Sequence, residues 1–214
     1  MSPKQQLLND LKKEIEANGK LPLFGAANLV FGEGSSDAEV LFIGEAPGFH
    51  ENKHQRPFVG LAGQLLDKLL GELNWPRESV YITNIVKRRP PENRDPLPEE
   101  IEAYAPYLKK QIEILQPKII ATLGRFSMNY FLPDTKISHD RGRLFQAHSH
   151  FIYPLYHPAA ALRSTTVLEE LRKDFHRLSQ ALERAKNGVV VVVKEEPPTQ
   201  PKQKEKQNNR PSLL

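Results

Sequence analysis

Two carboxylates, Glu45 and Glu51, flank a glycine and proline turn in the stretch LFIGEAPGFHENKHQRPFVG (Leu41 to Gly60), and His50, His54 and Phe58 follow in the same stretch. Such carboxylates can orient a water molecule or face a developing positive charge, with pKa values raised in a dry pocket or lowered beside arginine. Asn84 lies inside the end of a second apolar run, VYITNIV, and His157 closes another, FIYPLYH. An amide offers a donor and an acceptor together, and a neutral imidazole can still donate. Lys87, Arg88, Arg89 and Arg94 crowd the residues after Asn84, where cations can hold a phosphate backbone. Each feature also has a plainer reading. GEAPG alone is a turn at a strand end, Asn84 a side chain bonded to nearby backbone, His157-Pro158 a turn, Phe58 a core residue, and the basic cluster a solvated loop.

The elements that must position these residues follow from hydrophobic patterning. Apolar runs begin at Val40, Val80, Lys118 and Phe151, each short and rich in β-branched or aromatic residues, as strands buried on both faces are. Helical spacing appears in Gln5 to Ala17, LAGQLLDKLLGEL, LPEEIEAYAPYLKKQIEIL and LEELRKDFHRLSQALERAK. Strands alternating with helices predict an α/β fold, a three-layer α/β/α sandwich around a central parallel four-stranded sheet. Ligands of such sheets sit beyond the carboxyl ends of the strands. GEAPG, Asn84 and His157 all fall there.

Composition narrows the chemistry. The 214 residues suit one domain with an appendage, read as a domain over 1–193 and a disordered polar tail over 194–214, with the valine run after Gly188 as a candidate edge strand. A net charge of +4 favours a polyanionic partner without requiring one. There is no cysteine, which excludes disulfides, a thiolate nucleophile and sulfur-held metal. His50 and His54 read as solvated loop residues and imply no metal site. No apolar run approaches the ~20 residues that span a bilayer, and the N-terminus lacks a signal-peptide segment. The expectation is a cytoplasmic monomer with no membrane partner.

GEAPGFHE, RPFVGLAG, TNIVKRRPPENRDPLPEEIEAY and HPAA, in that order and on those strand ends, resemble the family 4 uracil-DNA glycosylases over about Val30 to Arg177. The resemblance implies a uracil-DNA glycosylase-like fold and a monofunctional enzyme that hydrolyses the glycosidic bond of uracil in DNA, leaving an abasic site. The base must first leave the stack and enter a pocket that holds its face and its pairing edge. On this reading Gly44, Ala46, Pro47 and Gly48 form the turn that takes the base, and Phe58 stacks on uracil. Asn84 reads its N3–H and O4, and His157 donates to O2. Glu45 positions water or faces the cationic sugar, while Glu51 walls off the thymine methyl. Lys87, Arg88, Arg89 and Arg163 contact DNA. Ala46 stands where some related glycosylases carry a water-activating Asp.

The family typically ligates a four-iron, four-sulfur cluster through four cysteines. The corresponding positions here are Asn18, Leu21, Arg88 and Tyr104, so no cofactor is expected. Pro90, Pro91, Pro96 and Pro98 would restrict the neighbouring loop in its place. Two rivals stand beside the main reading: a glycosylase of the same fold for other deaminated bases such as hypoxanthine or xanthine, and a lesion-binding module without turnover. QNNRPSLL at the C-terminus loosely resembles peptides that dock on the sliding clamp, with Leu213 and Leu214 as anchors; a plain disordered end is the alternative.

Overall fold

A computed structural model describes residues 1–147 and 149–188. The valine run, the boundary at 193, the polar tail and the clamp-docking motif lie outside the described residues.

Each predicted apolar run becomes a strand: β2 (Val40–Gly44), β3 (Tyr81–Asn84), β4 (Ile119–Leu123) and β6 (His150–Leu155), mutually parallel in the order β3-β2-β4-β6. Two antiparallel edges absent from the expectation extend this sheet to six strands: β1 (Glu33–Gly34) beside β3, and β5 (Phe145–Ala147) beside β6. They are two and three residues long, too short to carry a period that sequence could reveal.

Alternation within β2 divides the core. Leu41 and Ile43 enter one apolar cluster with Leu8, Ile15, Tyr104 and Leu108, from α1 (Pro3–Ala17) and α4 (Pro98–Leu115). Val40 and Phe42 enter the other with Leu66, Leu70, Phe175 and Leu178, from α3 (Leu61–Glu72) and α8 (Thr165–Lys186). Successive strand side chains point to opposite faces, so a fully apolar strand serves two cores at once. The Phe42 and Phe175 rings stack at 5.8 Å between centroids. Full burial of such side chains contributes roughly 1.5–3 kcal/mol each.

The long helices start where their sequences dictate. Ser2 accepts from the Gln5 N–H at 3.1 Å ahead of α1, and Glu100 in the first turn of α4 accepts from the Leu97 N–H at 2.8 Å. Four short helices were not anticipated: α2 (Phe49–His54), α5 (Arg125–Phe131), α6 (Ile137–Asp140) and α7 (Pro158–Ala161). The predicted loop around His50 and His54 is therefore largely α2, with both histidines exposed on it. Among the described residues no helix is long and apolar enough to cross a membrane.

Candidate active site

A cavity of about 710 Å³ opens beyond the carboxyl ends of the parallel strands, and Glu45, Glu51, Phe58, Asn84, His157 and Arg163 all line it. Gly44 is the point at which three of its segments meet. A Cβ there would overlap the Asn84 Oδ1 and lie 2.6 Å from the Phe58 ring, so only glycine permits the approach. Phe58 itself has φ of 50°, a left-handed conformation uncommon for a non-glycine residue. Its ring lies 5.6 Å from that of His157.

Asn84 ends β3 with only 2% of its surface exposed. Among the described residues its amide has no hydrogen-bond partner, although it borders the cavity. The plain reading, an asparagine tied to nearby backbone, does not hold for this side chain. The amide faces the cavity, where a ligand can complete its hydrogen bonds and a mismatched one would leave groups unpaired at about 1–3 kcal/mol each.

His157 precedes α7, and its Nδ1 accepts from the Ala159 N–H at 3.1 Å. That bond places the proton of a neutral ring on Nε2. Burial pulls the pKa down to about 4, with the Glu51 charge opposing, so the imidazole is neutral at physiological pH. Gly124 packs against it: a Cβ there would lie 3.0 Å from the His157 Cβ.

The two carboxylates differ. Burial pushes Glu45 up to about 7, helped by nearby Asp95 and opposed by Arg125. Glu51, in the first turn of α2, instead accepts from the Val59 and Gly60 N–H groups at 2.9 and 2.8 Å through one oxygen. It thereby pins the turn that carries Phe58. Ala46 and Gly48 also border the cavity, whereas Gly44 and the buried Pro47 stand behind its wall.

The expected basic patch is not a patch. Lys87 is fully buried and donates to Thr83 Oγ1 and the Asn84 carbonyl, each at 2.7 Å, and to Gln111 Oε1. Arg88 is 6% exposed, donates to the Ala27 carbonyl at 2.7 Å and lies over the Phe24 ring. Neither can reach a phosphate, because the chain after β3 turns inward and carries both cations into the core. Arg94 is paired with Glu100 at 2.6 Å, and Arg89 is half-buried between Asn93 and the Phe49 ring. Arg163 is exposed at the cavity rim. Sequence reading missed the other rim cation, Arg125, which pairs with Asp95 at 3.1 Å. Its signal was available: Arg125 follows the third apolar run, at the strand end where ligands of such sheets sit.

Away from the cavity, Asn18, Leu21, Arg88 and Tyr104 come together. Asn18 donates to the Tyr107 hydroxyl at 2.8 Å, Tyr104 donates to the Pro22 carbonyl at 2.7 Å, and Leu21 is buried in the same apolar cluster. Burial pushes the Tyr104 hydroxyl up to about 12, with the Arg88 guanidinium opposing. These side chains offer no thiolate and already bond one another's neighbourhoods, so a sulfur-ligated cluster does not fit them. Among the described residues no group of three or more His, Cys, Asp or Glu could hold a metal ion.

The sequence model of the uracil DNA glycosylase superfamily matches residues 31–186. The chain belongs to the uracil DNA glycosylase superfamily. It is 46% identical over 165 residues to a type-4 uracil-DNA glycosylase of Saccharolobus solfataricus, covering 72% of this chain and 76% of that one. Type-4 uracil-DNA glycosylases of Sulfurisphaera tokodaii and Archaeoglobus fulgidus are 42% and 39% identical, over 81% of this chain and 84% and 92% of theirs. The superfamily match spans the sheet and every cavity residue named above.

Proposed function

We propose that this protein is a monofunctional uracil-DNA glycosylase of the type-4 kind, working without a thiolate-held cluster. The observation that carries the reading is the convergence of the Phe58 ring, the unpaired Asn84 amide and the neutral His157 on one cavity. A flipped uracil lying against Phe58 gains stacking worth about 1–3 kcal/mol. The Asn84 amide accepts from N3–H and donates to O4; cytosine reverses both polarities and leaves buried groups unpaired. As the glycosidic bond breaks, negative charge develops on the base, and the His157 Nε2–H stabilises it at O2 without giving up its proton. Positive charge develops on the sugar, which the Glu45 carboxylate offsets while orienting the attacking water.

Arg163 at the rim holds a phosphate, and the adjoining Leu162, half-exposed at the end of α7, fills the gap that the flipped nucleotide leaves. Glu51, which lines the cavity, walls off the thymine methyl and also pins the turn that carries Phe58.

Oligonucleotides carrying uracil, hypoxanthine or xanthine test the reading with colourless, iron-free protein. Release of free uracil with an intact abasic strand, lost on Asn84→Ala or His157→Ala, is the expected result. Tight retention of uracil-DNA without base release would replace it with a lesion-binding module, and preferential release of a purine with the same-fold rival.

A further inference from the structure

Lys87 is a buried cation that the chemistry above does not use. Its ammonium is 0% exposed, and among the described residues no carboxylate contacts it. A buried charge without an ionic partner costs several kcal/mol, and an apolar side chain of the same length would avoid that cost. Its three partners explain its presence. Thr83 Oγ1 gives its own hydrogen to the Phe31 carbonyl at 2.8 Å, so towards Nζ it can only accept. Gln111 donates from Nε2 to the same Phe31 carbonyl at 3.0 Å, which turns its oxygen to Nζ. The third partner is the Asn84 carbonyl at 2.7 Å. Three acceptors need three N–H donors, which only the charged ammonium supplies, although burial itself pulls the Lys87 pKa well down.

The same short turn is fastened to the end of β2. The Ile85 N–H donates to the Gly44 carbonyl and the Val86 N–H to the Glu45 carbonyl, both at 3.0 Å, while the Val30 N–H donates to the Lys87 carbonyl at 2.8 Å. The residues that present Asn84 to the cavity are thus locked from behind by one ammonium anchored on α4.

We propose that Lys87 is a positioning residue: it fixes the Asn84 backbone carbonyl from inside the core and so sets the direction in which the Asn84 amide enters the cavity. The inference rests on the base-reading role given to Asn84 above. Only Asn84 conveys the effect, which distinguishes it from a general contribution to folding.

A double-mutant cycle tests it, with single-turnover excision of uracil from a single-stranded oligonucleotide and thermal melting of each protein. Lys87→Met leaves buried acceptors unpaired beside Asn84 and is expected to slow excision about tenfold to a hundredfold. In an Asn84→Ala background the same change should slow it by less than about threefold, since the amide it aimed is gone. Thr83→Val, which removes one acceptor and keeps the shape, should show the same pattern at smaller amplitude, and it decides the matter if Lys87→Met does not fold. Equal losses in both backgrounds, or a fall in melting temperature with no loss of rate, would overturn the proposal and leave the glycosylase reading intact. An Asn84→Ala protein that excises uracil at the wild-type rate would instead overturn the base-reading role, and this inference with it.

Discussion

The chain after β3 serves two regions within a few residues, and the regions treat polar groups in opposite ways. At the cavity, Asn84 keeps an amide with no partner among the described residues, and His157 keeps its Nε2–H after binding Ala159 through Nδ1. At the far side, Arg88, Tyr104 and Asn18 are bonded to Ala27, Pro22 and Tyr107. The difference is one of direction: the far side turns its polar groups onto protein partners, leaving only Arg88 Nε among them buried without one, whereas the cavity turns an unpaired amide and an imidazole N–H towards space that a ligand can fill.

Substitution at the cavity should separate rate from stability most sharply. His157→Ala is expected to lower kcat for uracil excision about 10²–10³-fold, the usual cost of losing a donor to a developing anion, with little change in melting temperature. A loss below tenfold would remove His157 from the chemistry and blur the contrast.

The pH profile sharpens the same comparison within the cavity. Glu45, raised to about 7, is largely protonated at pH 6 and ionised at pH 8, so kcat/KM should fall about tenfold per pH unit below 7 and level off above 8. His157, lowered to about 4, stays neutral throughout that window and contributes no inflection. Asp95→Asn removes a charge that raises the Glu45 pKa and should move the midpoint down; Arg125→Gln removes one that lowers it and should move the midpoint up. A profile flat between pH 6 and 8 would take Glu45 out of the reaction.

The far side should respond in stability alone. Tyr104→Phe leaves the Pro22 carbonyl unpaired, a loss of about 1 kcal/mol, which lowers the melting temperature by about 2–4 °C in a domain of this size and leaves kcat unchanged. A change in uracil excision with no thermal shift would show that the two regions are coupled.

The smallest effect concerns the cations. Arg163→Ala should reduce the slope of log K against log salt for DNA binding by about one. Lys87→Met should leave that slope unchanged, because a buried ammonium releases no counterion.

Patterning made the scaffold legible because strands buried on both faces must be apolar throughout and helices packed on one face must repeat. Val40–Gly44 and the repeat in α8 carry that signal directly. Short segments carry none: two-residue β1 and four-residue α7 arise from tertiary pairing and from Pro158 at a helix start. Side-chain type announced the candidate site, since Asn84 and His157 stand at strand ends, but direction stayed hidden. KRR reads as one cationic run, yet Lys87 and Arg88 turn inward while Arg89 lies half-buried against an aromatic ring. The left-handed backbone of Phe58 is equally unreadable, because it belongs to a turn whose next two N–H groups bond the distant Glu51 carboxylate and whose own backbone packs on Gly63.

The bonds that join Arg88, Tyr104 and Asn18 to their carbonyl and hydroxyl partners form from the chain alone. With no cysteine in the chain, peroxide finds no thiolate in that corner to oxidise.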